Sequence, residues 1–465
     1  MKTLSRTRPE APSPAAAPPG ADGVFARELR ALLVLAGPIV VSQLGGMGMA
    51  TTDTILVGPL GPGALAAIGL ANAIYMTVSI VCMGTLFGMS PLVSQGFGAG
   101  RRLRCRRVLV QGGWLAALLC LPVIAVCLVG ERVALALGQE PAVSALAGGY
   151  LRALAFGALP FLLLIACRQF LEGMSLTRPV MIITFLGLGV NFVADVVLIY
   201  GRGPVPAFGV VGSGWATAVV QWAMFLAAVA YMTLNPRLQP LTGVRRRPRL
   251  PLLRRIVAIG APTGAQLGLE VGFFASCALM MGWFGAVELG THQVTINLAA
   301  TTFMVALGVS IAGSIRVGQR IGARDLEGMR AATLATYALA LGSMAVFALL
   351  FLSVPEQLVR LYTDDPGIVR LGVSLLGMAA LFQLFDGAQV AGVSVLRGAA
   401  DTRVPTAIAA LAYWMVGVPL AYLFGFHTTL GPVGIWAGIV VALGVAALLL
   451  GWRVRRVLLS RGHLG

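Results

Sequence analysis

Long apolar runs, each about 20 residues or more and almost free of charge, dominate this chain, and that is the length an α-helix needs to cross the hydrocarbon of a bilayer. Breaking the sequence at its charged and Gly/Pro-rich punctuation gives about twelve such runs. They fall near 31–57, 65–90, 108–129, 144–167, 180–200, 210–233, 255–283, 288–313, 331–352, 371–395, 405–425 and 433–452. The runs are continuously apolar, without the alternation of a strand lining a polar lumen, so helices are favoured over a barrel. Of the 465 residues 58% are hydrophobic and 11% charged, against about 25% charged in a typical soluble domain. The expected fold is an all-α polytopic membrane protein.

The net charge of +17 would suit a nucleic-acid binder, but its placement is a topology signal. With the amino terminus in the cytoplasm, the inner side collects the Arg101-Arg102-Leu103-Arg104-Cys105-Arg106-Arg107 run, the Arg237 to Arg255 cluster, Arg316, Arg320, Arg324 and Arg330, and the final arginines from Arg453 onward. The outer side keeps Arg132, Arg152, Arg202, Arg360 and Arg370. That bias follows the positive-inside rule and places both termini in the cytoplasm of a multi-pass inner (plasma) membrane protein with no nucleic-acid partner. Residues 1–30, rich in Pro and Ala and without a short apolar core before a cleavage site, read as a disordered cytoplasmic tail. Residues 235–254 read as a cytoplasmic linker, and 457–465 as a second tail. Five of the six cysteines fall within or at the end of spans, and Cys105 falls in an inner loop, with no CxxC; they read as apolar fillers.

Several kinds of chemistry are excluded. Lys2 is the sole lysine, so the chain has neither a P-loop nor a buried Schiff-base lysine. His292, His427 and His463 are too scattered for an HExxH or His-rich metal site, and His292 reads as an interfacial residue at the outer end of span 8. No enzymatic activity and no cofactor are expected.

The two halves resemble one another at a shift of roughly 221 to 225 positions. Gln95-Gly96-Phe97-Gly98-Ala99 after span 2 matches Gln319-Arg320-Ile321-Gly322-Ala323, and Leu171-Glu172-Gly173 after span 4 matches Leu396-Arg397-Gly398. Gly37-Pro38 matches Ala261-Pro262, and Gly209-Val210-Val211-Gly212 matches Gly431-Pro432-Val433-Gly434. Each half holds six spans, so the halves run the same way and should form two bundles, 31–234 and 255–456, related by an axis along the membrane normal.

Four carboxylates, Asp53, Asp195, Glu270 and Asp386, sit inside the apolar runs. A charge at membrane depth costs roughly 2.5–3.5 kcal/mol on the gentlest scale, so such acids usually face a cavity and handle ions or cationic solutes. Counted at 1.5 Å per residue, Asp53 and Asp195 both lie roughly 8 Å below the outer boundary. Asn191 stands one turn from Asp195 on the same face, and Thr217 in span 6 reaches a similar depth. If spans 1, 5 and 6 are neighbours, these four form one polar cluster. Two carboxylates that close cannot both stay ionised without a cation, so either one is protonated or a metal ion or organic cation completes the site. Glu270 and Asp386 each fall about midway along their spans, near the midplane where coupling ions are commonly held.

The chain resembles the multidrug and toxic compound extrusion (MATE) family over essentially its whole length after the tail. The resemblance rests on the twelve spans, the repeated Gln95-to-Ala99 and Gln319-to-Ala323 segments, and Thr51-Thr52-Asp53-Thr54-Ile55-Leu56-Val57-Gly58. Most specific is Phe385-Asp386-Gly387-Ala388-Gln389 followed by Leu396-Arg397-Gly398-Ala399-Ala400-Asp401-Thr402. With Glu270, that segment is similar to the NorM-like branch, whose cation site uses those two acids. The quartet Asp53, Asn191, Asp195 and Thr217 resembles the ion or proton site of the DinF-like branch.

The resemblance implies two bundles that alternate between outward-open and inward-open V shapes, exporting organic, often cationic compounds in exchange for Na+ or H+. Na+ at Glu270 and Asp386 is one form the coupling could take, and a monomer in the bilayer is expected. Two alternatives are a flippase for lipid-linked sugars from the same superfamily and, in a different class, a membrane-embedded transferase. An anionic pyrophosphate would call for basic cavity residues, and the charges inside these spans are acidic; a transferase would need catalytic groups in long loops, which the chain lacks.

Overall fold

The computed structural model describes residues 21–202, 206–236, 238 and 247–459. Among them no strand occurs, and twelve helices are long and apolar enough to cross a membrane. They are Gly23–Leu60 (span 1), Pro62–Gly98 (2), Arg102–Ala136 (3), Pro141–Gly173 (4), Thr177–Tyr200 (5) and Val210–Leu234 (6) in the first half. The second half has Leu250–Phe284 (7), Ala286–Gly322 (8), Leu326–Ser353 (9), Pro366–Gly398 (10), Arg403–Phe426 (11) and Pro432–Leu459 (12). Every expected apolar run lies inside one of these helices. Most of the helices overshoot their runs, because backbone hydrogen bonding continues into polar turns beyond the hydrocarbon.

The overshoot corrects four readings, one of them at the far end, where residues 457–459, assigned above to the second tail, complete the span 12 helix. Residues 21–30, assigned above to a disordered tail, are the first turns of the span 1 helix, which starts at Ala21. Glu28 there is 1% exposed and ion-pairs with Arg316 at 2.8 Å and with Arg320, which anchors those turns to span 8. Cys105 is buried within the span 3 helix instead of lying in a loop. Residues 250–254 begin span 7. The rest of the first tail, residues 237 and 239–246 of the linker, and 460–465 lie outside the described residues.

Apolar packing makes two main cores, with a reciprocal exchange at the starts of spans 1 and 7. The first core draws on spans 2 to 6 through residues such as Leu86, Leu151, Leu162 and Phe170. The second draws on later spans through Phe273, Leu375, Trp436 and Leu443. Leu32, Leu35 and Ile39 of span 1 pack against Val309, Ile315 and Ala391, whereas Ile256 and Ile259 of span 7 join the first core.

The repeat is visible in the backbone. Gly209 and Gly431, preceding spans 6 and 12, both have φ 56° with ψ −131° and −132°, a conformation that needs glycine. Gly100 and Arg324 are both left-handed, as are Ser175 and Ala400. At the arginine-rich end the repeat closes the halves on one another. Gln95 Nε2 donates to Gly398 O at 3.0 Å, and its counterpart Gln319 Nε2 donates to Gly173 O at 3.2 Å and to Ser175 Oγ at 2.7 Å. Glycine permits the approach: a Cβ on Gly98 would lie 1.9 Å from Gln319 O, and one on Gly322 2.0 Å from Gln95 O.

Candidate functional site

In the first half, span 5 carries Asn191 and Asp195 four residues apart, hence on one face, and that face meets the end of span 1. Gly45 brings the two helices together, since a Cβ there would sit 3.1 Å from Thr184 Cγ2. Asn191 Nδ2 donates to Asp53 Oδ1 at 2.9 Å and to Asp195 Oδ2 at 3.0 Å. One amide thus joins the two carboxylates. Asp195 is fully buried, and its Oδ1, like Asn191 Oδ1, is a buried acceptor without a partner. Unspent acceptors beside two acids suit a cation or an added proton.

Thr217 joins the same cavity but spends its hydroxyl proton on Ser213 O at 3.0 Å. The cavity, about 390 Å³, is lined by Asp53, Asn191 and Thr217, by Asn72, Tyr75 and Tyr150, and by apolar walls that include Met49, Met76, Phe161 and Met224. Arg168 also lines it, held by Glu172 at 3.4 Å and by Gln43 Oε1 at 3.0 Å.

In the second half, Glu270 of span 7 and Asp386 of span 10 line a separate cavity of about 400 Å³. Gln293 and His292 of span 8 share it, with Phe274, Phe303 and Phe382 as walls. Among the described residues neither carboxylate has a hydrogen-bond partner. His292 is not interfacial: it is 1% exposed and meets Trp436 of span 12 edge-on, ring centroids 5.7 Å apart. Its face of span 8 turns inward, and the indole covers the imidazole. No group of three or more His, Cys, Asp and Glu among the described residues is placed to hold a metal ion.

Five of the six sequence-derived positions line a cavity, three in the first half and two in the second; Asp195 lines neither and stands buried behind Asn191, and the two cavities share no lining residue. Sequence reasoning missed Arg168, Tyr75, Tyr150 and Gln293. Arg168 had a signal, its i,i+4 spacing to Glu172 in a repeated motif. The tyrosines had none, because an aromatic in an apolar run reads as core. Chemically, each cavity offers carboxylate countercharge next to apolar and aromatic surface, the combination that a delocalised organic cation requires.

The MatE family matches residues 38–197 and 262–423, one stretch in each half. A probable multidrug resistance protein NorM of Bradyrhizobium diazoefficiens is 37% identical over 450 residues, covering 95% of this chain and 96% of that protein. A multidrug resistance protein MdtK of Proteus mirabilis is 34% identical over 442 residues, covering 92% and 96%. Among solved structures, the eukaryotic MATE transporter AtDTX14 matches with a TM-score of 0.84 at 21% identity over 93% of this chain and 96% of that one. An outward-facing MATE family transporter of the MOP superfamily matches with a TM-score of 0.84 at 23% identity over 95% and 98%. Likeness at that identity establishes the fold.

Proposed function

This chain belongs to the MatE family, the multidrug and toxic compound extrusion transporters, and on that premise we propose that it is a secondary active antiporter. It exports amphipathic organic cations from the cytoplasm in exchange for Na+ or H+, acting as a monomer in the inner membrane. One observation carries the reading: each half has its own cavity with carboxylate in its lining, Asp53 in the first and Glu270 with Asp386 in the second, against aromatic and other apolar walls. Coupling cation and cationic solute can then compete for the same acids, so that loading one releases the other. The positive-inside bias puts the arginine-rich end in the cytoplasm. On that orientation the Gln95 and Gln319 contacts belong to a conformation shut toward the cytoplasm.

The acids weigh against a flippase for anionic lipid-linked sugars. Arg168 is the one arginine lining either cavity among the described residues, and its charge is already engaged by Glu172. The test is efflux of a cationic dye from vesicles with Na+ and pH gradients imposed separately. Efflux should follow one of the two gradients and be lost in Glu270→Gln and Asp386→Asn. Efflux indifferent to both gradients would remove the antiport reading.

A further inference from the structure

Spans 3, 4 and 6 part to leave an apolar groove of about 410 Å³ that shares no lining residue with either acid cavity. Span 4 turns Leu164, Ile165 and Arg168 to the first cavity and Leu163, Ala166 and Cys167 to the groove, so the groove lies on the opposite side of that helix. Small residues open it. Gly113 and Ala117 of span 3 and Ala166 of span 4 all line it, and a Cβ on Gly113 would meet nothing nearer than Leu163 Cδ2 at 3.9 Å. Val110, Trp114, Leu163 and Met232 supply the walls. The hydroxyl in the lining, Thr233, already donates to Val229 O of its own helix at 3.0 Å, so the groove suits hydrocarbon and not a polar ligand.

The groove starts about one helical turn from the arginine run. Arg102 lies seven residues before Leu109, and Arg107 lies three before Val110 and seven before Trp114, so both continue the groove-lining face of span 3 toward the cytoplasm. Helical side chains lean toward the helix N-terminus, which carries the guanidinium groups further toward the membrane surface. Other arginines at this end are matched by carboxylates, Arg316 and Arg320 by Glu28 and Arg453 by Asp401. Among the described residues Arg102 and Arg107 have no carboxylate partner.

We propose that the groove binds an anionic phospholipid of the cytoplasmic leaflet, one acyl chain lying between spans 3, 4 and 6 and the phosphate held by Arg102 and Arg107. Depth and charge complementarity select this occupant. From Leu109 to Ala117 the groove runs about 12 Å along span 3, most of the roughly 15 Å half-thickness of the hydrocarbon. Guanidinium groups at its cytoplasmic end then meet a phosphate at headgroup level, where the planar fork of arginine pairs with phosphate oxygens. The site stands independently of the antiport reading.

The experiment reconstitutes the full chain in phosphatidylcholine vesicles containing a varied fraction of acyl-brominated lipid, either phosphatidylglycerol or phosphatidylcholine. Bromine quenches indole fluorescence on contact, and the difference between wild type and Trp114→Phe isolates the emission of Trp114. Brominated phosphatidylglycerol should half-quench that emission at a mole fraction about 25-fold lower than brominated phosphatidylcholine, about fivefold from each of two arginines. Arg102→Gln and Arg107→Gln should each reduce the preference to about fivefold. Gly113→Leu, which puts a side chain into the groove and leaves the arginines unchanged, should lower quenching by both lipids. Equal quenching by the two lipids, as from an unselective lipid shell, overturns the proposal. So does a preference that survives in both arginine variants, or quenching unchanged by Gly113→Leu. Should the arginine variants not yield folded protein, wild type gives the same answer through salt. Raising ionic strength from about 0.01 to about 1 M shortens the screening length from about 30 to about 3 Å and should reduce the preference, and a preference indifferent to salt overturns the proposal.

Discussion

In the first half, two carboxylates from different spans meet through one amide, Asn191 reaching Asp53 at 2.9 Å and Asp195 at 3.0 Å. In the second half, Glu270 and Asp386 face a common cavity, and no described residue hydrogen-bonds to either. The backbone repeat, faithful down to the glycine conformations before spans 6 and 12, therefore carries two different acid sites. A bridged pair behaves as one unit whose geometry is set in advance. An unbridged pair takes its spacing from spans 7 and 10 and from whatever binds between them, so binding there can bias how those spans sit. On this contrast we propose that the driving cation is taken in the second half and that proton and solute compete in the first.

The largest expected effect tests the second half. Glu270→Gln and Asp386→Asn keep shape and remove charge, so each should lower gradient-driven efflux about 100-fold, toward the upper end of ordinary coupling energies, in protein that remains folded. Wild-type rates in both variants would make these acids structural and reverse the assignment.

The next tests the bridge. In a double-mutant cycle on dye affinity, Asp53→Asn and Asp195→Asn should show a coupling energy of about 1–3 kcal/mol, whereas Asp53→Asn with Asp386→Asn, one from each half, should add to within about 0.5 kcal/mol. Protonation removes the negative charge that holds a cationic dye. Affinity should therefore be greatest at alkaline pH and fall as the pH is lowered. Each single variant should flatten that dependence. Additivity within the bridged pair, or a full pH dependence in both variants, would mean that the Asn191 contact is packing.

The contrast between the halves also marks how far the sequence could be read. Twelve apolar runs and the arginine bias specify twelve helices, because helix length and charge placement answer to the bilayer alone. The depth count put Asp53 and Asp195 at one level, and the i,i+4 rule put Asn191 on the Asp195 face, since both arguments need only local helix geometry; that span 1 meets span 5 there was a condition the sequence could not supply. What stayed hidden depends on which helix faces which. His292 looked interfacial because counting gives depth along span 8 but not its rotation, and only Trp436 of span 12 reveals that the imidazole points inward. Glu28 looked like tail charge because its partners, Arg316 and Arg320, are almost 300 positions away in the chain. The π-helical winding of span 11 leaves no trace in an apolar run.

The smallest effects concern the arginine-rich end, where the halves are alike instead of different. A methyl on Gly98 would lie 1.9 Å from Gln319 O and one on Gly322 2.0 Å from Gln95 O, so Gly98→Ala and Gly322→Ala should each wedge this end open. Gln95→Ala and Gln319→Ala should act in the same direction more gently, because each removes hydrogen bonds worth about 1 kcal/mol apiece, or about fivefold in population per bond. The repeat predicts equal effects, but the contacts do not. Gln95 makes one bond across the halves, to Gly398 O, whereas Gln319 makes two, to Gly173 O and Ser175 Oγ. Gln319→Ala should therefore shift the equilibrium about twice as far in free energy. Spin labels on cysteines replacing Arg102 and Glu327, in an otherwise cysteine-free chain, would report the fraction of molecules with this end apart. Equal shifts would mean that the Ser175 contact contributes nothing and that the halves close as symmetrically as their sequences repeat, while no shift in either variant would leave closure to the glycine contacts alone.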